Sequence, residues 1–99
     1  MRHLRQRWHR WNRDLVGAFR HLQDAGRLEL ITCAATHAVL PLLVEHPSAI
    51  RGQVLTARDY HRACFGRDPV GFWLPECGYH PDLDLTLQEA NLRWVILDS

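Results

Sequence analysis

Apolar residues recur along this chain in two rhythms, and the rhythms alternate. Trp8, Trp11, Leu15, Phe19 and Leu22 fall at steps of three and four, with the arginines of residues 2–13 off that line. Such spacing puts one apolar stripe on a helix. Gly17 weakens that helix slightly, and Gly26 is a natural stop. Leu28-Glu29-Leu30-Ile31-Thr32 then reads as a short strand, since Ile and Thr suit a pleated surface. It runs into small residues, Cys33-Ala34-Ala35-Thr36, and then His37. Residues 38–43 form an apolar loop in which Pro41 opposes a long helix.

A second helical stripe follows in Ile50, Val54, Ala57, His61 and Cys64. Ser48 is the expected N-cap, and Gly66 ends the helix. Asp68-Pro69 turns the chain into Gly71-Phe72-Trp73-Leu74, a buried strand that Pro75 terminates by removing a ladder donor. After a loop from Cys77 to Pro81, Asp82 or Asp84 caps a short helix carrying Leu83, Leu87 and Ala90, with Asn91 as its stop. Leu92-Arg93-Trp94-Val95-Ile96-Leu97 is nearly all apolar, as expected of a strand buried on both faces.

The order is helix, strand, helix, strand, helix, strand. This alternation predicts an α/β fold of about three parallel strands with crossover helices. Ninety-nine residues bound it to one domain. Three parallel strands leave both outer edges open, and apolar strands expect cover on two faces. The expectation is therefore a segment of a larger α/β sheet or barrel, prone to aggregate alone.

Charge changes this picture little. The formal net charge is +1, and all 12 basic residues are Arg, which reads mainly as a coding bias. The basic residues of 1–13 read as the exposed face of the first helix; a patch for nucleic acid or anionic lipid is the weighed alternative. Three Cys without framework spacing suit a reducing compartment. No apolar run approaches the roughly 20 residues of a membrane span, and no secretory signal opens the chain. A cytoplasmic location without nucleic-acid or membrane partners, and without a cofactor, is expected.

Parallel strands bring their C-terminal ends to one rim, where such folds place their chemistry. Here that rim collects Cys33, Thr36 and His37, then Glu76, Cys77 and Tyr79, then Asp98. Three readings compete. One is glycoside chemistry, with Glu76 as a carboxylate nucleophile, Trp73 and Tyr79 for stacking on sugar and His37 for a hydroxyl. A retaining mechanism needs a second carboxyl about 5–5.5 Å away, and Asp98 stands on the correct rim without being marked as an acid. Another is a zinc site from Cys33, His37, Cys77 and His80, though the spacings are loose. The last leaves Glu76 as a structural acid.

The residues also carry a resemblance. Trp73-Leu74-Pro75-Glu76-Cys77-Gly78-Tyr79 closely resembles the nucleophile motif of glycoside hydrolase family 57. Residues 30–37 with Leu40-Pro41-Leu42-Leu43 resemble a preceding motif of that family's 1,4-α-glucan branching enzymes, and residues 14–19 and 65–69 are similar to the same branch. The resemblance implies an incomplete (β/α)7 TIM-like barrel and retaining cleavage of α-1,4-glucan, with the cut chain transferred to a 6-hydroxyl. It implies Glu76 as nucleophile, His37 lining the reacting-sugar subsite, and Trp73 and Tyr79 in supporting roles. Ala38, Asp82 and Asn91 stand where glycines are expected. The family's first motif, its general-acid motif and its helical domain are not found. The expectation is residues 1–99 as part of a branching enzyme's catalytic barrel, inactive alone, acting with α-1,4-glucan and with the rest of the enzyme as a separate chain. The alternatives are another family amylase or 4-α-glucanotransferase, or a non-catalytic glucan- or metal-binding piece.

Overall fold

The computed structural model describes residues 2–10 and 12–98. Trp11, placed on the first stripe, and Ser99, at the end of the third strand, lie outside the described residues. The single N-terminal helix expected from the stripe is instead two, α1 (Arg2–Arg10) and α2 (Leu15–Asp24). Between them Asn12 and Arg13 take left-handed φ values of 54° and 61°. Asn tolerates that region better than most residues. Asp14 then restarts the helix: its Oδ1 accepts from the Gly17 N–H at 2.8 Å, which satisfies one of the free first-turn donors.

Strand β1 comprises only Thr32–Cys33, later and shorter than expected. It pairs in parallel with β2 (Gly71–Trp73), Thr32 opposite Phe72 and Cys33 opposite Trp73. Continuing that register backwards sets residues 28–30 against residues 68–70, where Pro69 offers no N–H to a ladder. Strand β3 (Trp94–Ile96) pairs in parallel on the other side of β2, giving the sheet order β1-β2-β3.

Helix α3 (Pro47–Phe65) crosses from β1 to β2. Pro47 occupies the first helical turn, so Ser48 lies inside the helix and not at its cap, and His46 precedes it without a side-chain bond. The fixed φ of proline and its missing N–H suit that place. Gly66 closes the helix at φ 78°. The short α4 (Asp84–Glu89) crosses from β2 to β3, and Asn91 ends that turn at φ 60°.

Ile50 and Val54 of α3, Phe72 of β2, Leu74, and Leu83, Leu87, Ala90 and Leu92 around α4 form one buried cluster. Each large side chain buried this way contributes roughly 1.5–3 kcal/mol of burial. Since paired residues in register share a face, Phe72 and Val95 lie on the helix side, and Trp73, Ile96, Gly71 and Trp94 on the other. That other face is open: Trp73, Trp94 and Ile96 are all exposed. The third strand is therefore covered on one face, not two as its composition suggested. Helix α2 packs on α3, and the Gln23 side chain donates to the Phe65 carbonyl at 3.1 Å. No described helix is long and apolar enough to cross a membrane.

Candidate active site

The site is built where β2 stops. Leu74 still takes part in the sheet, its N–H donating to the Ile96 carbonyl at 3.1 Å. Pro75 then starts a tight turn, closed by Cys77 N–H to Leu74 O (2.8 Å) and Gly78 N–H to Pro75 O (3.1 Å). Inside it Glu76 (φ 55°) and Cys77 (φ 56°) both adopt the left-handed conformation. Two consecutive non-glycine residues in that region are strained, at roughly 1–2 kcal/mol each. The Asp98 N–H donates to the Cys77 carbonyl at 3.3 Å, tying the turn to the end of β3.

Strand β1 feeds a second turn on the same rim. The His37 N–H donates to Ala34 O at 2.9 Å, and His37 itself sits at φ 57°. Its Nε2 reaches Glu76 Oε1 at 3.3 Å. Trp73 stands edge-on to the His37 ring, with centroids 5.7 Å apart and planes at 69°. Glu76 is 73% exposed and His37 46%, so the pair faces outward from the rim. Among the described residues His37 is the hydrogen-bonding partner of Glu76.

Three of the four residues singled out from sequence therefore meet: Glu76, His37 and Trp73. Tyr79 is engaged elsewhere. Its hydroxyl donates to Asp84 Oδ1 at 2.7 Å, and it lines a recess with Gln88, Leu92 and Trp94. That bond to Asp84, then partial desolvation and the Asp84 charge, holds the Tyr79 phenol above its ordinary range. Asp98 reaches the rim through its main chain.

The four-ligand zinc arrangement weighed from sequence does not form. Among the described residues no group of three or more His, Cys, Asp or Glu side chains could hold a metal ion. His80 accepts from the Asp82 N–H at 3.1 Å, capping the turn at Pro81–Leu83. Sequence reasoning missed Gln53, which bonds the turn carrying His37. The signal was available: Gln53 is a polar residue three positions after Ile50 and four before Ala57, at the edge of a buried stripe.

Chemically, a carboxylate on a rigid turn with an imidazole in contact and an indole beside it can attack an electrophilic carbon next to a ring that stacks. Residues 2–99 match the family model of Glycosyl hydrolase family 57, and the chain belongs to that family. It is 45% identical to a 1,4-alpha-glucan branching enzyme of Thermococcus kodakarensis, across 93% of this chain and 16% of that enzyme. Among solved structures it superposes on an alpha-amylase of Thermotoga maritima with a TM-score of 0.91 and 33% identity, covering 95% of this chain and 18% of that one. A GH57 branching enzyme of Thermococcus kodakaraensis, solved with glucose and additives, gives 0.89 and 36%, covering 95% and 20%. The chain thus spans about a sixth to a fifth of the proteins it matches. Its three parallel strands are a segment of the (β/α)7 barrel of the family.

Proposed function

We propose that this chain supplies the nucleophile portion of a retaining 1,4-α-glucan branching enzyme, working in carbohydrate metabolism. The observation that carries the reading is Glu76, held in a strained turn at the C-terminal rim of β2 with His37 Nε2 3.3 Å from its Oε1. In the reaction, Glu76 attacks the anomeric carbon of an α-1,4-linked glucose, and a glycosyl-enzyme ester forms as the glycosidic oxygen leaves. A 6-hydroxyl of an acceptor glucan then displaces Glu76, giving an α-1,6 branch. His37 lines the reacting-sugar subsite, and Trp73 supports it by edge contact. Tyr79, bonded to Asp84, offers its ring for stacking on a more distant sugar.

A retaining mechanism also needs a carboxylic acid to protonate the leaving oxygen. Glu76 has an imidazole partner instead. The 99-residue chain is therefore inactive by itself and acts with the rest of a barrel, which would cover the open face of Trp73, Trp94 and Ile96. Its three unpaired cysteines fit a cytoplasmic site of action. Purified alone, the chain should leave amylose unbranched. Branching by it that disappears in Glu76→Gln would overturn this.

A second reading, favoured by the amylase superposition, is hydrolysis of the same α-1,4 bonds. A graft separates the two. Residues 2–99 replace the matching segment of the Thermococcus kodakarensis branching enzyme, and products on amylose are analysed for α-1,6 linkages. Branches that vanish in Glu76→Gln support the proposal. Undiminished branching by the Glu76→Gln graft sinks the nucleophile, and reducing ends without branches favour the amylase.

A further inference from the structure

We propose that Gln53 is the positioning residue of the rim, clamping the turn that aims His37 at Glu76. Its functional meaning rests on the reading of Glu76 as nucleophile; its geometry does not.

Gln53 makes three hydrogen bonds to two consecutive residues across the β1–α3 interface. Its carbonyl accepts from the Ala35 N–H at 3.1 Å. Its side-chain Oε1 accepts from the Thr36 N–H at 2.9 Å. Its Nε2 donates to the Thr36 hydroxyl at 2.8 Å. Main chain and side chain of one helical residue thus grip the turn just before His37. Left to itself that turn would relax, because His37 at φ 57° is in a conformation that side chains disfavour.

The grip is firm because its post cannot rotate. Gln53 adjoins Val54 and lies between Ile50 and Ala57, all three buried. Turning α3 enough to carry Gln53 away would pull these apolar side chains from the core. The rotation of the helix is therefore set by burial, and Gln53 passes that setting to the rim. From there it runs through Thr36 to His37, and from His37 to the 3.3 Å contact with Glu76 and the edge contact with Trp73. No atom of Gln53 needs to touch substrate. Its work is to fix where His37 stands, and misplacing a reactive group by about 1 Å can cost about 100-fold in rate.

The bonding also specifies which substitution conserves it. A glutamate at 53 would accept from the Thr36 N–H with one oxygen and from the Thr36 hydroxyl with the other, since a hydroxyl can donate or accept. An alanine could do neither. Gln53→Ala and Gln53→Glu are therefore a loss-and-rescue pair that volume alone would not produce.

The test uses nuclear Overhauser contacts between His37 ring protons and Trp73 indole protons in the 99-residue chain. They should be present in the unmutated chain, fall several-fold in Gln53→Ala and return in Gln53→Glu. Their absence from the unmutated chain, their persistence in Gln53→Ala, or their loss in Gln53→Glu would each overturn the clamp. Where Gln53→Ala does not fold, Thr36→Val exchanges the hydroxyl for a methyl of similar size and must weaken the same contacts; unchanged contacts overturn the clamp. A second measurement, made in the graft of residues 2–99 into the Thermococcus kodakarensis branching enzyme, follows the rate at which a 5-fluoro-α-glucosyl fluoride labels Glu76. The Glu76 oxygen bonds to the anomeric carbon as the C–F bond breaks, and fluoride leaves without needing an acid. Gln53→Ala should slow labelling about 10- to 100-fold with the half-saturating probe concentration unchanged. Equal labelling rates overturn the positioning role while leaving Glu76 a nucleophile. No labelling of the unmutated graft, with the expected contacts present in the 99-residue chain, overturns the nucleophile and leaves the clamp standing.

Discussion

Trp94 lies across Gly71, its partner in the β2–β3 register, so closely that a β-carbon at 71 would stand 2.3 Å from Trp94 Cζ2. The absent side chain is what admits the indole to the open face of the sheet. Gly71→Ala should therefore cost about 1–3 kcal/mol, the usual range for overpacking. Because Trp94 is partly exposed, its ring has room to swing away, which favours the lower end. In a double-mutant cycle by denaturant melts, Trp94→Ala should remove most of that cost. Equal costs of Gly71→Ala with and without the indole would show that the contact is not what reserves the glycine.

The strained turn makes a stability prediction of opposite sign. Glu76→Gly relieves a left-handed φ at roughly 1–2 kcal/mol and gives back roughly 0.4–1 kcal/mol through the freer unfolded chain. A net gain of about 0.5–1 kcal/mol is expected in urea melts. The exposed contact with His37 offsets little of it. An unchanged or lowered midpoint would mean the turn is relaxed with Glu in place.

His61 sets the pH dependence. It is buried on α3, edge-on to Phe65 at 4.8 Å, and its Nε2 has no hydrogen-bond partner among the described residues. Burial pushes its pKa below the ordinary 6.5, against a weaker opposing pull from the Asp68 charge. In the window below 6.5 the unfolded chain then binds more protons than the folded one, so stability falls as pH drops and is fully present above it. Asp68 adds to this only in stronger acid. Its hydrogen bond from Arg62 holds its carboxyl below the ordinary 3.8. Melts between pH 7.5 and 5 should slope downward, and His61→Leu should flatten the slope.

Arg51 of α3 grips Glu89 of α4 with two nitrogens, Nε lying 3.1 Å from Oε2. The geometry is good, but both side chains are about half exposed. Arg51→Ala should cost less than about 1 kcal/mol, and half-molar salt should shrink the difference further. A loss of several kcal/mol would show that the pair, and not the buried cluster beneath it, joins the two crossover helices.

Element types were legible where period and punctuation agreed. The stripe from Ile50 to His61, the stop at Gly66 and the stop at Asn91 are in the structure as the letters suggest. The first helix was misread because Trp8, Leu15 and Phe19 keep their rhythm across a break; Asn12-Arg13-Asp14 was the overlooked punctuation. Strand length failed at β1, because a strand ends where its partner stops offering hydrogen bonds, and that partner lies about forty residues on. At the site, Glu76, His37 and Trp73 were visible as rim residues. Their contacts were not, since these depend on left-handed residues at His37, Glu76 and Cys77, which those letters do not announce. Tyr79 sits near Glu76 in the motif but bonds to Asp84, the turn over Pro75–Cys77 lying between the two.

Two bonds that hold the Glu76 turn, Leu74 N–H to Ile96 O and Asp98 N–H to Cys77 O, belong to peptide groups. Peptide groups do not change when a codon does, except to proline, which deletes the N–H. The side chains of Leu97 and Asp98 can therefore vary while the carboxylate keeps its pose, whereas proline at 98, or at 96 inside β3, is the substitution that frees it. A saturation scan of Leu97 and Asp98 would show wide tolerance with a proline-shaped hole at 98. The aim of the acid would then be inherited through the backbone, invisible to any comparison of side chains.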